Sequence, residues 1–388
     1  MKKNNNVRYL CVDDEPNIES TRRRLAAGGQ LTIELRRPVA DWTAEVDAIH
    51  RAMTVEKYSG LLIDFRLDET HQGLKSKGTD GKVVRYTAES LVSELRRRSV
   101  EGGKDESYPI VLWSTAKFLK RFYELNPGYL VSYDSIWDKE QLAGDMAGYR
   151  QRLTSLNRGY QQLAVAVQRG KVDMPTLLAA AGMSVLTEFD QFMRQRAHGT
   201  PYVFQYALFI AHDVLEVGGP LIDAATVRAF LGVEKMAEKD WVTILAALGK
   251  EVIYRGIFAD AYERYWRDNI LRALETLTGA ASWLSLPAAE RAALLRRHFK
   301  RAKIEPAKPM GKDYATDYDC VCAVTKKPLA KRNGYRLLNT RSLRWKEPEY
   351  VAGVTYRLKY AELSKTLPLE AEDKERFAAQ YGLKPRSV

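Results

Sequence analysis

Apolar residues along this 388-residue chain follow two different spacings, and the change between them divides it. Over residues 7–150, short apolar runs alternate with helical patterns. Tyr9-Leu10-Cys11-Val12, Leu31 to Leu35, Leu61-Leu62-Ile63, Pro109 to Trp113 and Leu130 to Trp137 are too short for helices and rich in branched side chains. Such runs predict strands buried on both faces. Between them, helical spacing predicts helices over Glu15 to Ala27, Thr43 to Met53, Val84 to Leu95 and Phe118 to Leu125. This alternation predicts an α/β fold, a doubly wound five-stranded parallel sheet. One connection stands out. His71 to Lys82 is polar, holds Gly73, Gly78 and Gly81, and is longer than an ordinary βα loop.

From about Arg150 the spacing becomes helical throughout. Leu153 to Val167, Met174 to Leu186, Val203 to Val217 and Ala224 to Leu231 all fit, the last with Asp223 as N-cap. Tyr262, Trp266, Ile270 and Leu274 recur every fourth residue and predict one long helix from Val252 to Leu277. Another starts at Ser285, with Pro287 in its first turn, and ends among Arg296, Arg297 and Lys300. Pro306, Pro309 and Gly311 then read as a linker. Beyond it, Asp319 to Val324, Gly334 to Leu338 and Val351 to Tyr360 predict strands of a small α+β module. The expected domains are therefore residues 1–148, an all-α domain over 149–302, and 303–388.

Composition narrows the class. Hydrophobic residues make up 45% and charged residues 28%, enough for ordinary cores. No apolar run approaches the roughly 20 residues of a membrane span, and Met1 to Asn6 carry no signal-peptide core. Three cysteines build no disulfide framework, so a reducing, cytoplasmic setting is expected. The net charge of +12 is uneven. Residues 280–388 hold 23 Lys/Arg against 12 Asp/Glu, whereas residues 1–150 hold 24 against 23. A local basic field with interleaved aromatics suits a nucleic-acid partner. The candidate contacts are Lys326, Lys327, Lys331, Arg332, Arg341, Arg344 and Lys346.

Candidate chemistry gathers at strand ends. The first strand runs into Asp13-Asp14-Glu15 and the third into Asp64. In an open α/β sheet the carboxyl ends of the strands line the ligand crevice. Acids brought together there repel one another unless a hard cation joins them, and oxygen donors of this kind suit Mg²⁺. These positions, with Thr115-Ala116 after the fourth strand and Lys139 after the fifth, make residues 7–145 resemble the receiver domain of two-component response regulators. Asp80-Gly81 resembles that family's Asp-Gly before the third helix, displaced by about eight residues. The resemblance implies Asp64 as phosphoacceptor and Asp13, Asp14, Asp64 and the Arg66 carbonyl as Mg²⁺ ligands. It also implies Thr115 as phosphate-sensing hydroxyl, Lys139 as phosphate-pairing cation, and a histidine kinase as phosphodonor. A second copy of the chain is a further candidate partner; a membrane is not. Two positions depart from the family: Glu140 replaces the usual proline, and Ile136 stands where a switch aromatic is usual.

Other constellations carry less. His212-Asp213, with His198 and Asp260, could be drawn as a metal set, but a helix-surface pair is the simpler expectation. Cys320 and Cys322 lack a second ligand pair for zinc. No Gly-rich phosphate loop ending in Lys-Ser/Thr occurs. The expected function is a phosphorylated signalling regulator whose helical and basic regions form a noncatalytic output. The alternatives are a receiver-controlled hydrolase in the helical region and a pseudo-receiver adaptor.

Overall fold

The computed structural model describes residues 6–15, 18–29, 31–68, 75–116, 119, 132–170, 172–180, 185–196, 201–300, 303–339 and 343–382. The predicted helix over Phe118 to Leu125, the start of the predicted fifth strand, His71, Gly73, His198 and Arg341 lie outside these residues, apart from Leu119. The chain forms two compact units. One comprises Met1–Asp213 with Gly256–Tyr262, the other Val214–Arg255 with Glu263–Val388.

The first unit is built on strands β1 (Val7–Val12), β2 (Leu31–Arg36), β3 (Gly60–Asp64), β4 (Ile110–Ser114) and β5 (Ser135–Asp138). All neighbours are parallel and the order is β2-β1-β3-β4-β5. Helices α1 (Ile18–Ala26), α2 (Trp42–Thr54) and α3 (Ala88–Arg98) fill the connections. Asp41 caps α2 by accepting from the Ala44 amide at 2.8 Å. Leu10, Val12, Leu61, Ile63, Ile110 and Leu112 pack against Val46 and Ile49 of α2 and Leu91 and Leu95 of α3. The alternate strand residues face the other way. There the Tyr9 hydroxyl donates to the Leu153 carbonyl at 2.9 Å, and Trp137 meets Tyr149 edge-on at 4.7 Å. Both partners belong to helix α4 (Met146–Gln168), so the sheet carries helices on both faces. The expected domain boundary at residue 148 falls inside this helix, and the unit runs on through α5 (Met174–Leu177), α6 (Val185–Arg196) and α7 (Val203–Leu208).

Val203 to Val217, predicted as one helix, instead continues from α7 into a π-helical turn over Phe209–Leu215. His212 and Asp213 lie in that turn and both are buried, so they are not a surface pair. His212 Nε2 sits 2.7 Å from the Tyr133 carbonyl. Asp260 pairs with Arg158 at 2.5 Å.

In the second unit, α8 (Ala224–Leu231) begins at Asp223, whose carboxylate accepts from the Thr226 amide at 2.8 Å. It ends at Gly232 with φ 75°, a left-handed cap suited to glycine. Helix α9 (Glu238–Leu248) follows. The long helix expected from Val252 is corrected. That stretch holds the short strand β7 (Tyr265–Trp266), paired with β6 (Leu221–Ile222), and only then α10 (Arg267–Thr278). Adjacent aromatics suit a pleated pairing, and the fourfold spacing of Tyr262 and Trp266 arose without a helix beneath it. Helix α11 (Ala288–His298) carries Arg291, fully buried, donating to the carbonyls of Phe230, Tyr318 and Leu284 at 3.1, 2.7 and 2.6 Å.

Residues 303–382 fold around β8 (Cys320–Val321), β9 (Pro328–Leu329), β10 (Gly334–Arg336) and β11 (Tyr350–Ala352). The strand predicted over Val351 to Tyr360 stops at Ala352 and turns into helix α12 (Gly353–Leu358), which buries Tyr356 beside Phe377 at 5.1 Å. Helices α13 (Tyr360–Thr366) and α14 (Ala371–Tyr381) complete it. No helix among the described residues is long and apolar enough to cross a membrane.

Candidate active site

Parallel register fixes where the chemistry gathers. Val12 lies opposite Ile63, Asp64 opposite Trp113, and Ser114 opposite Asp138, so the carboxyl ends of β1, β3, β4 and β5 form one rim. Asp13 leaves β1 with its amide still bonded to the Arg36 carbonyl at 3.2 Å. The Lys139 amide likewise extends the β4–β5 ladder to the Ser114 carbonyl at 2.8 Å. The four strand ends thus position their side chains through main-chain pairing, the most rigid support a fold offers.

Lys139 is the centre of the cluster. Its Nζ lies 2.7 Å from Asp64 Oδ1, 2.8 Å from Asp13 Oδ2 and 3.3 Å from Glu15 Oε2. The indole of Trp113 lies beneath it, ring centre 5.6 Å away, a cation–π contact. Burial works against this charge, yet Asp64, Asp13 and Glu15 hold the ammonium above the ordinary lysine range. Asp13 is oriented by accepting from the Glu15 amide at 2.9 Å, and Asp64 by accepting from the Arg66 amide at 3.0 Å. The Arg66 side chain turns aside to Asp68 at 3.0 Å.

Lys139 pairs with Asp13, Glu15 and Asp64, and its charge also reaches Asp14. Burial pushes Asp13 up to about 7, with Lys139 opposing and Asp64 adding to the rise. Burial pushes Asp14 up to about 6, against the Ser76 hydroxyl beside it. Asp64 is also raised by burial, with Lys139 holding it back. Such a surplus of buried negative charge is what a hard dication relieves. Asp14 Oδ2, Thr115 Oγ1 and Ser114 Oγ are buried and have no hydrogen-bond partner among the described residues. Oxygen donors of this kind fit Mg²⁺. Among the described residues no three His, Cys, Asp or Glu side chains stand in a ligating arrangement, and the Lys139 ammonium lies within 2.8 Å of both Asp13 and Asp64.

The structure therefore brings together Asp13, Asp64 and Lys139, with the Asp64 and Lys139 charges also reaching Asp14. Thr115 follows the last residue of β4 and is buried. Sequence reasoning did not assign roles to Trp113 or Ser76. Trp113 had a readable signal, since it is the large aromatic near the end of the strand that leads into Thr115. Ser76 had none, because a long-range loop contact places it. Lys75, Lys77 and Lys82, whose loop was conspicuous in sequence, are all exposed.

The basic candidates behave differently. Lys327 pairs with Glu234 at 3.1 Å, Lys331 with Glu347 at 2.9 Å and Arg332 with Asp317 at 2.5 Å. Lys346 donates to Asn339 at 3.1 Å, while Lys326 and Arg344 are exposed. A scan against known protein-family models finds no match to this chain, and a search of the curated proteins finds none similar to it.

Proposed function

We propose that the first unit is a receiver-type phosphoacceptor switch and the chain a two-component-type signalling regulator. The observation that carries this is the Lys139 ammonium held between Asp13 and Asp64 at the carboxyl rim of a five-stranded parallel sheet. An oxygen of Asp64 attacks the phosphorus of a donor, a histidine kinase in the cell. The bond from phosphorus to the donor breaks, its electron pair leaves with the donor, and an acyl phosphate forms on Asp64. Lys139 pairs with the transferred phosphoryl oxygens, and the buried Thr115 hydroxyl donates to one of them. Asp13, Asp14, Asp64 and the Arg66 carbonyl would hold Mg²⁺, which supplies the remaining neutralisation of the phosphoryl charge. Water later cleaves the acyl phosphate and resets the switch.

The test is intact-mass measurement after incubation with acetyl phosphate. Wild-type protein gains one phosphoryl group with Mg²⁺ and none with a chelator, and Asp64→Asn gains none. Equal labelling of Asp64→Asn would overturn the assignment. For the output, the surplus positive charge of residues 280–388 supports nucleic acid as the partner class.

A further inference from the structure

We propose that Trp113 is a positioning residue of the phosphoryl-transfer site, its indole face holding the Lys139 ammonium where the phosphoryl oxygens arrive. This rests on the phosphoacceptor reading above and adds to it a residue that the receiver resemblance does not supply.

The indole is fixed by the sheet. Trp113 is fully buried on β4, an inner strand paired with β3 on one side and β5 on the other. Its register partners are Asp64 on β3 and Trp137 on β5. Partners in register point to one face of a sheet, so the indole stands in one row with the phosphoacceptor side chain. Trp137 closes that row against Tyr149 of α4, with 4.7 Å between ring centres. The lysine is tied to the same strand, since its amide donates to the Ser114 carbonyl at 2.8 Å. Ring and ammonium are thus held from one ladder.

Lys139 Nζ lies 5.6 Å from the Trp113 ring centre, and its side chain is only 8% exposed. A cation–π contact gains strength when the cation is desolvated, and tryptophan offers the best face for it. The two neighbouring indoles differ in their polar edge. Trp137 donates Nε1–H to Ser135 Oγ at 2.7 Å, whereas Trp113 Nε1 is buried with no acceptor among the described residues. Burying an N–H in that way is a cost that a phenylalanine ring would avoid, so what the Trp113 indole contributes is its electron-rich face.

That face matters because the other contacts of Lys139 change during transfer. The ammonium starts 2.7 Å from Asp64 Oδ1 and 2.8 Å from Asp13 Oδ2. Once an Asp64 oxygen bonds to phosphorus, the carboxylate charge passes to the phosphoryl oxygens, and the ammonium follows it. The Trp113 ring neither reacts nor titrates, so its hold on the ammonium persists through the step.

The experiment places mono-, di- and trifluorotryptophan at position 113 of the full chain by amber suppression. Fluorine withdraws charge from the ring face and leaves the ring's shape nearly unchanged. Labelling by acetyl phosphate with Mg²⁺, followed by intact mass, should slow stepwise with each fluorine, by about 10-fold over the series, at unchanged far-UV circular dichroism. Trp113→Phe should keep more of the rate than Trp113→Leu. A rate that stays constant across the fluorine series overturns this inference and leaves the phosphoacceptor reading standing, even where Trp113→Leu is slow, because that variant then reports packing alone. A wild type that gains no phosphoryl group overturns both.

Discussion

At the scale of single residues, two buried charge groups of the first unit make opposite demands on stability. The acid site carries the cost of burying its own carboxylates. Asp13 and Asp14 are pushed to about 7 and about 6, so the folded chain keeps protons that the unfolded chain releases near pH 4. A carboxylate with a raised folded value stabilises the fold only while protonated, and stability falls as pH rises from about 4 to about 7. Asp14→Asn removes that penalty. Its unfolding free energy relative to wild type should grow by about 1–2 kcal/mol between pH 4 and pH 8, partial exposure of Asp14 returning part of the cost. Thermal melts across that range would read it, and a constant difference would contradict it. The second group is satisfied. Arg96 meets Asp134 at 2.8 Å, Tyr160 donates to Asp134 at 2.6 Å, and the Ile110 amide donates to the same carboxylate at 2.7 Å. Removing one partner strands a buried charge. Arg96→Met should therefore cost about 3–5 kcal/mol in denaturant unfolding, far more than an exposed pair such as Arg97–Glu101.

At the scale of elements, what the sequence revealed depended on how local each signal was. Fully buried parallel strands are continuous apolar runs, so β1, β3 and β4 were legible from Tyr9 to Val12, Leu61 to Ile63 and Ile110 to Trp113. The acids and the lysine followed by position, since each sits where its strand ends. Short pairings were not legible. Tyr265–Trp266 pairs as a strand with Leu221–Ile222, more than 40 residues away in sequence. The helix at Gly353 was hidden for a similar reason: Val351, Val354 and Tyr356 have strand propensity, and the packing of Tyr356 on Phe377 prevails. Gly60 is a point of close approach in the site's scaffold. A Cβ there would stand 2.4 Å from the Tyr9 ring and 2.9 Å from the Pro109 carbonyl, at the start of the strand that ends in Asp64. Gly60→Ala should destabilise the chain by about 1–3 kcal/mol, read as a lower denaturant midpoint at unchanged slope. Phosphorylation by acetyl phosphate should drop with it, as β3 shifts to make room.

At the scale of the whole molecule, charge and chemistry occupy different stretches of chain. Residues 1–150 are nearly balanced and hold the acid site, while residues 280–388 carry most of the net +12. A formal surplus is not a binding surface. Lys327, Lys331 and Arg332 are engaged by Glu234, Glu347 and Asp317, and Glu347 also takes Arg267 at 2.6 Å. These cations are partly neutralised in place, and Lys331 is half-buried between Glu347 and the Tyr350 ring, whose centre is 5.9 Å from its Nζ. Exposed Lys326 and Arg344, with half-buried Lys346, are therefore the ones from which a polyanion would gain most. Reversing these three to Glu should remove most nucleic-acid affinity at low salt. It should also flatten the salt dependence, by about 0.9 in the slope of log K against log salt for each duplex phosphate that is no longer neutralised. Reversing Lys331 instead should lower the melting temperature, because Glu347 loses an internal partner and faces a like charge. Gel shifts and melts on the full chain separate the two outcomes. If the triple variant binds as wild type does, the basic field serves some other acidic partner.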